Sequence, residues 1–308
     1  MLAPKVRAPQ WRIRTGHIST QNIAKAVANC ELPKCASCEY GKACRRPNRH
    51  KRVVKKPEKL FDLKQDDLNP GEKVSADHYH CARPGRLYTS KGREDSKDSY
   101  VGGCIFVDHA SGYVTLKHQV ALNAVETIRA KLEFEREAGA CGVKVQAYHT
   151  DNGVFQANDF MQELMKEKQD ISFSGVGAAH QNGIAERAIR TIVDMARTML
   201  LHAALRSPEG TITSGLWPMA MHHAAWLYNR IPHQDTGLAP IEVWTRSRFE
   251  PLGEVFSNCH VWGSSTYVLE PKLQKSGIKI PKWAPRSCRG INMGFSRLHS
   301  TLVALVLN

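Results

Sequence analysis

The chain has 308 residues, 42% hydrophobic and 23% charged, a balance that supports a packed core and excludes wholesale disorder. No run of 18 apolar residues occurs and the N-terminus lacks an apolar stretch, which excludes a transmembrane helix and a secretory signal. The net charge of +14 sits at the ends: residues 1–59 carry 15 Lys and Arg, and residues 272–308 carry seven with no acid, so phosphate-binding flanks surround a mildly acidic centre.

In chain order, residues 1–56 form a basic segment that holds Cys30, Cys35, Cys38 and Cys44, four of nine cysteines. An odd count with this clustering points to a reducing compartment and a metal site, not a disulfide framework. Residues 57–72 are charged and broken by Pro57 and Pro70–Gly71, and read as a linker. A core spans residues 73–235. Residues 74–80 alternate as a strand, 81–99 are a polar loop, and 100–120 are two strands joined at His109–Gly112. A helix over 121–139 stops at Gly139, and a strand over 143–150 ends at the turn Asp151–Asn152–Gly153. A helix (157–169), a short strand (171–173) and a Gly-rich loop (175–183) follow. The long helix over 184–205 has an apolar stripe of Ile189, Ile192, Val193, Ala196, Met199 and Leu200. Residues 214–230 continue as helix beyond Pro218, and residues 236–308 are a basic, mostly-β segment. The order of elements predicts an α/β fold, a mixed five-stranded sheet with helices on both faces.

Three acids stand at positions that such a sheet can bring to one rim: Asp77 inside the first strand, Asp151 just past the fourth, and Glu186 in the first turn of the long helix. Three carboxylates there repel one another unless cations neutralise them, and oxygen-only donors select Mg²⁺ or Mn²⁺. Such ions serve in-line phosphoryl displacement, which suits a phosphodiester held by basic flanks. Each acid alone has an ordinary explanation, as a paired strand residue, a turn or a helix-dipole partner. No Walker loop and no G-x-S-x-G elbow is present.

The strings around the acids are specific. "SADHYHCARPGRL" (75–87), "VDHASGYV" (107–114), "HTDNGVF" (149–155), "HQNGIAERAIRTI" (180–192) and "KIPKWAPRSCRGINMGFS" (279–296) resemble the integrase of copia-type retrotransposons, in the retroviral integrase superfamily. The resemblance extends over about residues 11–303. It implies an RNase H-like D,D,E core, cut from a Gag-Pol-like polyprotein, with Asp77, Asp151 and Glu186 as catalytic residues holding two Mg²⁺ (or Mn²⁺) ions. It implies attack of a DNA 3′-hydroxyl on target double-stranded DNA, a homo-multimer, and work in the nucleus after a stage in cytoplasmic particles. Asn152, Gln181, Asn182, Arg187, Arg190 and Arg197 are the implied DNA-binding residues, and a solvated face is the plain alternative for the arginines. One departure stands before the third acid, where "GVGAAHQNG" replaces a Pro-containing "PYTPQQNG"-like run.

The resemblance also implies a small zinc-finger-like module at the N-terminus, with His17, Cys35 and Cys38 as Zn²⁺ ligands. Arg12 occupies the place of its first histidine, so one of the four ligands is missing; either Cys30, Cys44 or His50 substitutes for it, or the site is open or lost. His78, His80, His109, His149 and His180 are expected to be structural or exposed, and Trp217, Trp226 and Trp244 to be core. The competing function is a nucleic-acid-binding retroelement remnant without catalysis.

Overall fold

The computed structural model describes residues 35–43, 68–89, 98–175, 182–208, 210–233, 236–248, 256, 259–274, 281–296, 299 and 303–307. A short helix, α1 (Ala36–Lys42), precedes the sheet. The strands β1 (Val74–Gly85), β2 (Tyr100–Asp108) and β3 (Val114–Gln119) form an antiparallel meander. The chain then crosses through α2 (Ala124–Ala140) to β4 (Ala147–Thr150), and through α3 (Asn158–Glu167) to β5 (Asp170–Phe173). Both late strands run parallel to their neighbours, so the sheet order is β3-β2-β1-β4-β5. This is the RNase H-like arrangement.

Alternation along the strands fills two cores. Ile105, Val107, Val114 and Leu116 face α4 (Gly183–Ala204) and α5 (Trp217–Tyr228), while Val74, Ala76, Cys104 and Phe106 face α2 and α3. Helix α4 meets the sheet through Ala185, Ala188, Ile192, Met195, Ala196 and Met199. Ile189, Val193 and Leu200, read from the sequence as its stripe, flank that seam half-buried.

Several boundaries differ from the sequence reading. Strand β1 continues through residues read as loop, because a register shift between His80 and Gly85 lets Gly85 pair with Tyr100. Gly85 is needed there: a Cβ would collide with the ring of Trp217. Helix α2 passes Gly139, and the chain turns at Gly142, whose φ of +74° suits glycine. The ladder of β4 is only four residues long, although Val143 and Val145 before it are buried.

The residues after 236 do not stand apart from the core. Helix α6 (Pro240–Thr245) buries Trp244, which stacks on Tyr113 with centroids 5.0 Å apart and joins the core beneath α2. Strands β6 (Ser265–Leu269), β7 (Ser287–Phe295) and β8 (Ala304–Leu307) form a separate antiparallel sheet, with α7 (Pro271–Gln274) after β6. Phe256, Cys259, Trp262 and Met293 are buried in the same cluster as α4 and α5. The C-terminal sheet therefore shares the apolar core of α4 and α5.

Candidate active site

Asp77 lies in β1 two residues before Tyr79, on the sheet face that looks toward α4. Asp151 is the first residue past β4, the parallel neighbour of β1. Glu186 lies in the first turn of α4, where the helix dipole favours a carboxylate. All three are half-buried. Burial raises the Asp77 carboxyl to about 6, and the charges of Asp151 and then Glu186 push it the same way against a 2.8 Å hydrogen bond from the His78 N–H. The three acids read from the sequence thus share one electrostatic neighbourhood.

Among the described residues none of these carboxylates has a Lys, Arg or His at ion-pair distance. Oxygen-only donors with uncompensated charge fit a hard divalent cation such as Mg²⁺ or Mn²⁺. Among the described residues no group of three or more His, Cys, Asp and Glu is drawn close enough to hold a metal ion by itself. The donor chemistry therefore fits the implied ions, and the side chains stand apart from a closed ligand shell.

The surroundings fix the strands that carry the acids. His78 points to the opposite face from Asp77, shares a 2.9 Å hydrogen bond with Thr127 Oγ1 of α2 and lies against Phe155. Burial lowers its pKa, opposed by Asp151, so the ring is a neutral anchor. His109 shares a hydrogen bond with Ser75 Oγ and His149 with Ser172 Oγ, while His80 is exposed. His180 lies outside the described residues. At the β2–β3 turn Asp108 accepts bonds from the Gly71 and Ser111 N–H groups and the Ser111 hydroxyl.

The implied DNA-binding residues separate into three groups. Arg187 and Arg190 are exposed on α4. Arg197 was expected on the same basic face, but it pairs with Asp194 at 2.8 Å and donates to the Gly41 carbonyl of α1 at 3.1 Å, so its guanidinium holds α1 against α4. Asn182 is 2% exposed, which corrects its expected place at a DNA surface: its Nδ2 donates to the Ala76 carbonyl at 3.2 Å. Asn152 likewise bonds within the protein, with Nδ2 on the Ser174 carbonyl and Oδ1 accepting from Gln156 Nε2, both at 2.8 Å. Gln181 lies outside the described residues.

Of the implied zinc ligands, Cys35 caps α1 and Cys38 lies within it, while His17, Cys30, Cys44 and His50 lie outside the described residues. Trp217 and Trp244 are buried, and the partly buried Trp226 packs on Phe295 and carries the Arg230 guanidinium over its ring. The sequence reading missed the inward roles of Asn152 and Asn182. The signal for Asn182 was its place at a helix start, which suggests a cap and hides the actual partner.

No family model matches the chain. It is similar to the retrovirus-related Pol polyprotein from transposon TNT 1-94 of Nicotiana tabacum, 28% identical over 146 residues, which are 47% of this chain. The chain spans about a tenth of that relative, 10% of its length. Among solved structures, the HTLV-2 integrase catalytic core domain in complex with magnesium (dimeric form) aligns at 21% identity over 57% of this chain and 98% of that one, with a TM-score of 0.40. The simian T-cell lymphotropic virus intasome in complex with PP2A regulatory subunit B56 gamma aligns at 16% identity over 78% of this chain and 77% of that one, with a TM-score of 0.45. Over the matched residues the chain is thus similar to a retrotransposon Pol polyprotein, and its core has the mixed five-stranded order β3-β2-β1-β4-β5.

Proposed function

We propose that the chain is a D,D,E polynucleotidyl transferase that joins the cDNA ends of a retroelement to target DNA. What supports this reading is the electrostatic influence of Asp151 and Glu186 on the half-buried Asp77, with no cationic side chain at ion-pair distance from any of the three among the described residues. Asp77, Asp151 and Glu186 would hold Mg²⁺ or Mn²⁺, which would supply the positive charge needed to activate a 3′-hydroxyl and stabilise the leaving oxygen. The chain's own contribution is to hold the carboxylates in a partly dry setting and to grip phosphates. Arg187 and Arg190 project beside Glu186, and the basic ends add a salt-sensitive hold on the DNA backbone. From the resemblance, the working unit is a homo-multimer acting in the nucleus, and zinc binding at the N-terminus requires another residue to replace the ligand lost at Arg12.

The alternative, a nucleic-acid-binding remnant without catalysis, is favoured by the absence of a closed ligand group among the described residues. Joining of a blunt DNA duplex to plasmid, with Mg²⁺ or Mn²⁺ and with EDTA, decides between them. Joining that needs metal and is lost in Asp151→Asn supports the enzyme. Binding of duplex by both proteins with joining by neither supports the remnant.

A further inference from the structure

Asn182 is the N-cap of α4, four residues before Glu186. An asparagine at this position usually accepts a hydrogen bond from the first turn through its side-chain oxygen. Here the side chain makes no capping bond. Its Nδ2 reaches across to β1 and donates to the carbonyl of Ala76, the residue before Asp77. A carbonyl only accepts, so the amide must present its NH₂ end, and the buried Oδ1 has no partner among the described residues. The β1–β4 ladder ends at Ser75 and His149. The Asn182 amide therefore grips β1 one residue past its last pairing with β4. Asn152 makes a similar tie beside the second acid, from the turn after β4 to the Ser174 carbonyl after β5.

We propose that Asn182 and Asn152 are positioning residues that set the separation of the three carboxylates. Asn182 joins the helix of Glu186 to the strand of Asp77. Asn152 joins the turn of Asp151 to the end of β5. This inference rests on the D,D,E reading above and changes one part of it, because two residues implied to touch DNA act inside the protein instead. A purely stabilising asparagine would cap the helix and satisfy both ends of its amide. Asn182 does neither, which is what a residue kept for the placement of its neighbours looks like.

The test uses the full chain as wild type, Asn182→Ala and Asn152→Ala. Three quantities are measured: the Mg²⁺ concentration for half-maximal joining of a short DNA duplex, the affinity for the same duplex in EDTA, and the affinity for Mn²⁺ alone by calorimetry. We expect each variant to need about 10- to 100-fold more Mg²⁺ and to bind Mn²⁺ correspondingly more weakly, with duplex affinity unchanged. Weaker duplex binding with an unchanged metal requirement would overturn the proposal and restore the DNA contact. Unchanged values throughout would overturn it too. If wild type joins no DNA, the strand-transfer reading fails, and the Mn²⁺ affinities still decide the positioning claim: equal affinities sink it. Asn152→Ala removes a more exposed tie, so it keeps the test open should Asn182→Ala fail to fold.

Discussion

At the scale of single residues, Asp77 is costly to fold. Its carboxyl, ordinarily near 3.8, is raised to about 6 by burial and by Asp151 and Glu186, so at neutral pH the folded chain holds a charge that the unfolded chain accommodates more easily. The sign follows from proton binding. Between about pH 4 and pH 6 the folded state holds the extra proton, so stability falls as pH rises through that window and the full cost stands above it. Asp77→Asn should raise metal-free stability by about 1–2 kcal/mol after allowance for partial exposure, while removing joining activity. Denaturant melts in EDTA at pH 7.5 beside the joining assay check both halves, and a variant no more stable than wild type refutes the first. His223 has the opposite sign. It is buried against Trp226 and Phe295, neither ring nitrogen has a hydrogen-bond partner among the described residues, and burial lowers it to about 4. Its contribution is complete above pH 6.5 and is lost as pH falls to 4, roughly 2–3 kcal/mol. Melts of His223→Leu across that range should show a shallower acid loss than wild type.

At the scale of elements, α1 is held where two helices touch almost backbone to backbone. A Cβ on Gly41 would collide with Thr198 Oγ1 of α4, and Arg197 bridges the same contact to the Gly41 carbonyl. Gly41→Ala should cost about 1–3 kcal/mol by overpacking, and much of that should return in the double variant with Thr198→Ala. Additive losses would place the effect elsewhere. This contact was not legible in the sequence, where Gly41 reads as one more residue of a cysteine-bearing segment. The sheet was legible, because Ile105, Val107, Phe106 and Cys104 alternate between two faces and the β2–β3 turn carries its own signals in Asp108 and Gly112. The strings single out the three acids, and the structure sets the charges of Asp151 and Glu186 against Asp77. The inward turn of Asn182 was not legible, because the same residue type is favoured as a cap, and only the distance to Ala76 separates the two uses. Helix α6 was hidden by its length and by Pro240, although proline suits a first helical turn.

At the scale of the whole molecule, the C-terminal sheet shares one apolar core with α4 and α5. Trp262 is buried there and donates from Nε1 to the Met293 carbonyl at 3.2 Å. Trp262→Ala should therefore cost about 3–5 kcal/mol and lower the melting of the five-stranded core together with that of the C-terminal sheet. A variant in which only the C-terminal signals shift would show that the two parts are energetically separate. The side chain of Asn229, at the end of α5, has a different reach. It accepts from the Val114 N–H at 2.9 Å and donates to the Val114 carbonyl at 2.7 Å, on the outermost strand beside β2. An outer strand with open backbone groups recruits strands from other molecules, and these two groups are already taken by an amide that imitates a neighbouring strand. Any assembly that extends the sheet is thereby steered away from the start of β3 and toward the opposite margin at β5.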